Sequence, residues 1–512
     1  MPLRRRVKHD PRSRLGSSED MDVSDAAFEV IVLGPNGGPR EDRVTGMLVR
    51  STSTDWNPGS AVAVDAGTLL AGIVRLLKKD IEGVRDGKMQ DGPFAGLRLP
   101  FDSAEANGAH VFREIIDAVL ITHPHLDHVS GLAINTPIVE AGNGPKPVAA
   151  LPSVIAAIKN HVFNDVIWPN LSDEDGGAGL LTYNRLVEGG NNRFGTGEVR
   201  GYIRACTGIT TKCLTVSHGK CKQRYHTETA MHHRINSTIF APHPSDQFML
   251  PSRAMSMEPN EASFYSPARS PHLPATREPA MATVESSAFF LRDSMTGKEI
   301  IIFGDVEPDS VALEPHNRRV WQTAAPKIAQ GNLRAIFIEC SYNDSVDDAY
   351  LYGHLCPRHL IAELRVLAKL VMEAREKKPD PSASTSAAST KRKWESTPYE
   401  DRMSLSPRSI KRTRSMGGRT DLTRARTVET PELYADDDEL DDLSAPRSSR
   451  WANADPLPLN GLSIYIIHIK ETLTDGPPPG YQILSELRQQ GAASYLGCQF
   501  FLPEPDKGIY IS

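Results

Sequence analysis

Cysteine is scarce in this chain, with six residues among 512. They are too few and too scattered for the disulfide framework of a small secreted protein, so a reduced cytoplasmic or nuclear setting is favoured. No apolar run reaches the roughly 20 residues that a membrane-spanning helix needs. The basic N-terminus is not followed by the apolar core of a signal peptide. The sequence therefore argues against a secreted or membrane-spanning protein.

Aromatic residues and positive charge are also in short supply. Aromatics make up 6% of the chain, and the formal net charge is -6. Neither value is typical of a nucleic-acid-binding protein, and the local basic runs lie in segments that look unfolded. The length allows a large core and suggests roughly two to four domains.

The distribution of apolar residues divides the chain into segments. Ser, Thr, Pro and charged residues dominate 378–455, which cannot bury enough apolar surface to offset the entropy of ordering. Two polar inserts are predicted within the folded part, near 170–200 and 219–282. Four segments follow along the chain: a disordered N-terminus (1–25), the first part of a catalytic domain (26–377), a disordered low-complexity insertion (378–455) and the last part of the catalytic domain (456–512).

Short apolar, β-branched runs separated by turn residues are typical of strands, and longer runs at helical spacing are typical of helices. Strands are predicted at 28–33, 47–50, 61–64, 111–122, 210–217, 333–338 and 462–467, with a hairpin at 286–292 and 299–303. Helices are predicted at 69–77, 151–161 and 358–377. This alternation favours an α/β fold with a two-sheet sandwich flanked by helices.

The most informative stretch is 123–128, where His123, His125, Asp127 and His128 occur within six positions. Imidazole nitrogen and carboxylate oxygen suit borderline divalent metals, zinc above all. Four such side chains in so short a loop cannot all reach one tetrahedral ion. Two ions a few ångströms apart use them better, and paired metals of that kind cleave phosphate esters and amides.

Four further apolar strands are each followed by a potential ligand or acid–base group: His218, Asp305, Glu339 and His468. A lone histidine after a strand is more often a surface or core residue, so the prediction depends on convergence of these strand ends at one edge. Asp65 also follows a strand and is interpreted as a turn or helix cap, with support of a metal-binding histidine as the alternative. The expected set is His123, His125 and His218 on one ion, Asp127, His128 and His468 on the other, and Asp305 as a bridge between the two.

The run His-Pro-His-Leu-Asp-His-Val-Ser-Gly-Leu-Ala at 123–133 resembles the signature of the class II, fungal-type cyclic-nucleotide phosphodiesterases of the metallo-β-lactamase fold. The resemblance continues, in the family's order, at 217–219, 303–305, 339–342, 351–355 and 467–470. It implies a metallo-β-lactamase-like αββα sandwich and homodimers. It also implies hydrolysis of 3′,5′-cyclic AMP, and of cyclic GMP as a further substrate, to the 5′-nucleotide, which would lower cyclic-nucleotide signalling. The family's metal ligands fall on the seven residues already chosen.

The expected mechanism uses a hydroxide activated by two divalent metal ions, with attack in line with the ribose 3′-oxygen. His354 is predicted to protonate the leaving oxygen, and Glu339 is predicted to orient it. Asp127 is the alternative proton carrier, and the sequence does not decide between them. Zinc is preferred by ligand type, although manganese or iron accepts the same donors.

Two other functions compete with this interpretation. A tRNA 3′-processing nuclease of the same fold would need a basic surface for RNA, which the folded parts do not obviously supply. A non-catalytic scaffold would show gaps in the ligand set, and none is seen. Regulation is predicted separately: Arg412 lies three residues before Ser415 in the 378–455 insertion, a pattern that basophilic kinases accept.

Overall fold

The computed structural model describes residues 25–139, 144–226, 231–234, 281–376, 456–504 and 507–512, with backbone alone for Ile81, 222–226 and 231–234. All of them belong to one compact unit. Three segments with predictions lie outside the described residues: 1–25 except Asp25, the whole of 378–455, and most of the insert near 219–282. The predictions for those segments therefore remain predictions.

The described residues form seventeen strands and seven α-helices. The strands are β1 (Phe28–Gly34), β2 (Gly46–Ser51), β3 (Ala61–Ala66), β4 (Val84–Arg85), β5 (Lys88–Met89), β6 (Ile116–Leu120), β7 (Lys146–Ala150), β8 (Leu181–Arg185), β9 (Ile203–Cys206), β10 (Ile209–His226), β11 (Met231–Arg234), β12 (Met281–Asp293), β13 (Glu299–Phe303), β14 (Leu333–Glu339), β15 (Ser463–Ile467), β16 (Gln499–Phe501) and β17 (Gly508–Ile511). The helices are α1 (Leu70–Asp80), α2 (Ala104–His110), α3 (Leu126–Asn135), α4 (Pro152–His161), α5 (Asn317–Ala329), α6 (Pro357–Glu376) and α7 (Pro479–Ala493).

The two main sheets each contain a continuous series of seven hydrogen-bonded strands. The first sheet runs β17-β1-β2-β3-β6-β7-β8, and β3, β6, β7 and β8 are mutually parallel. The second runs β11-β10-β12-β13-β14-β15-β16, with β9 pairing β10 and with β13 to β16 parallel. The parallel strands β3, β13 and β14 are almost entirely buried, as continuous apolar strands covered on both faces should be.

Alternate residues of the second sheet enter two different cores. Phe289 and Leu291 pack with the first sheet and its helices α1, α3 and α4. Phe290 and Ile301 face the other way and pack with α5, α6 and α7. The layers are therefore helix, sheet, sheet, helix, and the predicted αββα sandwich is confirmed.

Most predicted elements appear with small changes in their bounds, and three segments correct the sequence interpretation. Val111–Ile115 is a π-helical turn that continues α2, so the strand predicted at 111–122 covers only Ile116–Leu120. The buried residues Val111, Phe112 and Ile115 have the spacing of a helix, and the apolar content alone suggested a strand.

The other two corrections concern the polar segments. Residues 170–200 are not simply an excursion, because β8 lies within them and pairs in parallel with β7 at the sheet edge. The strand predicted to end at His218 continues as β10 to His226 across a bulge. Among the residues that the structure describes, no helix is long and apolar enough to span a membrane.

Candidate metal centre

Parallel strands of both sheets end at one edge of the sandwich and carry polar side chains there. Asp65 is the second-last residue of β3, and Glu339 is the last residue of β14. His123 follows β6, Asp305 follows β13 and His468 follows β15. The carboxyl ends of neighbouring parallel strands lie side by side, and the two sheets face each other. Residues separated by up to some 400 positions in the sequence are thereby brought together.

Helix α3 supplies two of the polar groups, where the sequence suggested only a loop. His125 is the residue before α3, and Asp127 and His128 lie in its first turn. The carboxylate of Asp127 is favoured at a helix N-terminus, where unpaired N–H groups carry partial positive charge. The helix start therefore fixes three of the four members of the histidine run.

A β-bulge places His218. The pairing of β10 with β12 shifts between Ser217 and Lys220, and a bulge of this kind redirects a side chain. His218 Nδ1 donates to the carbonyl oxygen of Gly353 at 2.8 Å. A Cβ on Gly353 would lie 2.7 Å from the nitrogen of Gly219, and both glycines have positive φ, so this close approach of two turns requires glycine.

The first group of ligand atoms contains His123, His125, His218 and Asp305. His123 Nε2 lies 3.6 Å and His218 Nε2 lies 3.5 Å from Asp305 Oδ2. His125 Nδ1 lies 3.3 Å from His218 Nε2. Ligands about 2.1 Å from a tetrahedral ion are roughly 3.4 Å from one another, so these spacings suit one ion.

The second group contains Asp127, His128, His468 and again Asp305. Asp305 Oδ1 lies 3.3 Å from His128 Nε2, and Asp305 Oδ2 lies 3.1 Å from His468 Nε2. Asp127 Oδ2 is 3.6 Å from His468 Nε2. The two groups contain the same residues as the two predicted sets, with Asp305 shared between them.

Unpartnered buried atoms support the fit of these residues to cations. His123 Nε2, His128 Nε2 and Asp305 Oδ1 are buried and have no hydrogen-bond partner among the described residues. A buried polar atom without a partner costs about 1–3 kcal/mol, and one cation in each group would satisfy all three atoms. The donor set of imidazole and carboxylate fits divalent metal binding.

Asp65 contacts His128 and the backbone of Thr122, and its interpretation as a turn or helix cap is wrong. Its Oδ2 lies 2.8 Å from His128 Nδ1, and Oδ1 accepts the backbone N–H of Thr122 at 2.8 Å. The Thr122 hydroxyl also donates to Asp65, and His123 Nδ1 lies 3.1 Å from that hydroxyl. Both histidines therefore carry their proton on Nδ1 and direct Nε2 to the ligand groups.

His468 has a partner that sequence reasoning missed. Thr45 Oγ1 lies 2.7 Å from His468 Nδ1, which leaves Nε2 free to accept or to ligate. The two residues are 423 positions apart, so no local pattern signals their contact. His468 has φ of 56°, an uncommon conformation for a residue with a side chain.

A histidine–carboxylate pair lies beside the two groups. Glu339 Oε1 is 2.9 Å from His354 Nδ1, and it also accepts the N–H of Val306 at 2.7 Å. The His354 ring stacks 5.3 Å from the His468 ring. The predicted pairing of these two residues is therefore present, next to the second ligand group.

Burial and charge set the protonation of the cluster. Burial raises the pKa of Asp305, but the imidazoles of His468 and His128 outweigh it and hold this pKa well below its ordinary value. Burial lowers the pKa of His218 to about 4. The pKa of His128 is instead well above its ordinary value, since Asp305 and Asp65 outweigh burial. A proton and a cation are alternatives at His128 Nε2, so cation binding there releases a proton.

The acid–base pair has the reverse pattern. Burial lowers the pKa of His354 to about 4 and raises the pKa of Glu339 to about 7, where Asp305 adds repulsion. Ser341 Oγ lies 2.5 Å from Glu339 Oε2 and 2.8 Å from the carbonyl oxygen of His468. Ser341 has one proton for two acceptors, so a proton on Glu339 satisfies both contacts. That proton would face Ser341, while His354 Nδ1 faces the other oxygen of Glu339.

Comparison with known proteins places this geometry in context. A family model described as cAMP phosphodiesterases class-II matches residues 54–380. The 3′,5′-cyclic-nucleotide phosphodiesterase of Schizosaccharomyces pombe is 28% identical over 345 residues, covering 67% of this chain and 76% of that protein. The 3′,5′-cyclic-nucleotide phosphodiesterase 1 of Saccharomyces cerevisiae is 26% identical over 381 residues, covering 67% and 83%.

A solved structure shows the same fold. The crystal structure of unliganded yeast PDE1 matches with a TM-score of 0.57 and 20% identity, covering 95% of this chain and all of that one.

Proposed function

The chain belongs to the class-II cAMP phosphodiesterase family, and from that premise we propose that it hydrolyses 3′,5′-cyclic AMP to the 5′-nucleotide, with cyclic GMP as a second substrate. The observation that carries the proposal is the position of Asp305, whose two oxygens lie 3.1–3.6 Å from nitrogens of both ligand groups. One carboxylate within reach of two ion positions is the arrangement that phosphoester hydrolysis by paired ions needs.

The proposed ligands are the seven residues of the two groups, and zinc is the proposed metal. His123, His125 and His218 would hold one ion with Asp305, and Asp127, His128 and His468 would hold the other with the same carboxylate. When bound, two such ions activate water and offset charge on a phosphoryl group.

The chain's own groups supply the remaining steps. His354 is proposed to protonate the 3′-oxygen as the ring opens, and Glu339, whose Oε1 lies 2.9 Å from His354 Nδ1, is proposed to orient it. Burial lowers the pKa of His354 to about 4, so a proton on this imidazole is readily given to a developing alkoxide. Asp127, one-quarter exposed, is the alternative proton carrier.

Homodimer formation and phosphorylation at Ser415 remain predictions from the sequence. The structure contains one chain, and Ser415 lies in 378–455, outside the described residues.

The direct test is an assay of the full-length protein with cyclic AMP, cyclic GMP and a tRNA precursor, each with added zinc and with a chelator. We expect AMP and GMP as products, no cleavage of the tRNA precursor, and loss of activity with chelator. Asp305→Asn is the matched negative control. Cleavage of tRNA alone would indicate the nuclease, and absence of turnover in zinc-loaded protein would indicate a scaffold.

A further inference from the structure

Lys470 lies at the site but is neither a proposed metal ligand nor a proposed proton carrier. It follows His468 by two residues, and its side chain is one-quarter exposed. Its Nζ donates to the carbonyl oxygen of Gly37 at 2.6 Å, lies 3.1 Å from His468 Nε2 and lies 3.6 Å from Asp127 Oδ2. The ammonium group is therefore at the rim of the second ligand group, on its solvent side.

The contact with His468 cannot persist when the site is loaded. The Lys470 ammonium can only donate, so His468 Nε2 is the acceptor in this contact and Nδ1 carries the proton toward Thr45. Nε2 then has one lone pair, which either accepts from Lys470 or binds an ion. A cation on His468 displaces the ammonium from that nitrogen. Gly37 and Asp127 stay within reach, so the displaced group remains at the opening of the site.

The charge balance then requires an anion. Two dications and one ammonium would outweigh the carboxylates of Asp65, Asp127 and Asp305, which leaves a net positive charge. A partly buried ammonium beside cations is destabilised by repulsion unless a negative group lies between them. A phosphoryl group carries that charge and has oxygens to share between ions and a lysine.

From this geometry we infer that Lys470 binds the phosphoryl group of the substrate and product, as a third positive charge beside the two ligand groups. The inference deepens the proposed function and rests on it. A base or ribose is a poorer match for Lys470, because its ammonium has three donors and no acceptor and acts as a point charge.

The experiment compares zinc-loaded wild-type protein with Lys470→Met, Lys470→Gln and Lys470→Arg. Lys78→Met is the control, because Lys78 on α1 forms an exposed ion pair with Glu105 on α2 and its replacement also removes one positive charge. For each protein, zinc content and melting temperature are measured first. Dissociation constants for AMP, inorganic phosphate and adenosine follow by calorimetry, together with kcat and KM for cyclic AMP.

We expect both neutral variants to weaken AMP and phosphate binding, and to raise KM, by about tenfold to a hundredfold, the effect of losing one charged hydrogen bond. Adenosine binding and zinc content should not change, and Lys470→Arg should recover part of the loss. The result that overturns the inference is unchanged AMP and phosphate affinity in a fully zinc-loaded neutral variant.

Two further outcomes also count against the inference. One is an equal decrease in the affinities for AMP and adenosine. The other is a lower zinc content or a lower melting temperature in both neutral variants. Either result would mean that Lys470 holds the Gly37 backbone in place and does not bind phosphate. The proposed function fails separately, if wild-type protein does not hydrolyse cyclic AMP. The binding of AMP and phosphate can be measured in either case.

Discussion

Asp65 Oδ2 lies 2.8 Å from His128 Nδ1, and both side chains are fully buried. A histidine that donates one ring N–H to a carboxylate presents its other nitrogen in a fixed direction and is a better donor to a cation. Asp65 itself has φ of 56°, and its other oxygen accepts two groups of Thr122. The carboxylate thus positions the strand end and the imidazole together.

The first prediction is that Asp65→Asn weakens metal binding by about tenfold to a hundredfold, the usual effect of losing a carboxylate partner of a metal-binding histidine. Competition with a chromophoric chelator measures this affinity. Asp117→Asn, at the opposite end of β6 and in an exposed pair with Arg204, is the matched control. Equal metal affinity in both variants would show that Asp65 serves the backbone alone.

The strand pattern of the sequence was sufficient for most of the sandwich, because buried parallel strands are nearly continuous apolar runs. Helix α5 was not predicted, although Val320, Trp321, Ala324 and Ile328 have helical spacing and are buried. Pro326 lies inside that helix and argues against it. The packing of α5 on the second sheet outweighs this local preference.

The residues of the two proposed ligand groups could be selected from the sequence because each one follows an apolar strand or belongs to the 123–128 run. Their partners could not. No sequence pattern near Thr45 indicates its contact with His468, and the Gly353 carbonyl that orients His218 is a backbone atom, which no side-chain pattern predicts. Asp65 is a carboxylate at the end of a strand, as a partner of a metal-binding histidine should be, but only the fold shows that it reaches His128.

The second prediction concerns the shared carboxylate. Asp305→Ala should lose both ions and nearly all turnover, because its oxygens serve both ligand groups. Zinc measured by mass spectrometry after dialysis, together with cyclic AMP hydrolysis, checks this result. Glu307→Gln, a buried carboxyl two residues further along that belongs to neither group, is the control and should retain zinc. One ion still bound in Asp305→Ala would contradict a bridging role.

The third prediction separates proton donation from metal binding. His354→Ala should keep its zinc and slow cyclic AMP hydrolysis by about a hundredfold to ten-thousandfold, the usual contribution of a general acid. A nitrophenyl phosphodiester, whose leaving group needs no proton, should be hydrolysed at a rate close to that of the wild type. Equal slowing of both substrates would exclude His354 as the donor, and a full rate on cyclic AMP would direct attention to Asp127.

The fourth prediction concerns the stability of the metal-free protein at low pH. Burial lowers the pKa of His218 and of His354 to about 4, against 6.5 in the unfolded chain, so the unfolded state binds more protons between these values. Each histidine then contributes up to about 1.4 kcal/mol per pH unit to a free energy of unfolding that is lost as pH falls from about 6.5 to 4. Glu339 acts in the opposite sense, because its pKa is raised to about 7 and its contribution is lost as pH rises from 4.5 to 7.

The histidines should outweigh Glu339, since burial also lowers the pKa of His123, His125 and His468. Urea unfolding of chelator-treated protein between pH 4 and 8 measures the balance. We expect the free energy of unfolding to fall on acidification below pH 6.5, and His218→Gln to reduce that slope by about one proton. Above pH 6.5 His128 acts in the opposite sense, because its pKa is raised and its contribution is lost as pH rises. Glu339→Gln should steepen the net loss, because it removes a carboxyl group that opposes the histidines. A metal-free protein whose stability is constant or increases below pH 6.5 would mean that these imidazoles are not held neutral by burial, and the cluster would then lack the neutral nitrogens that cation binding requires.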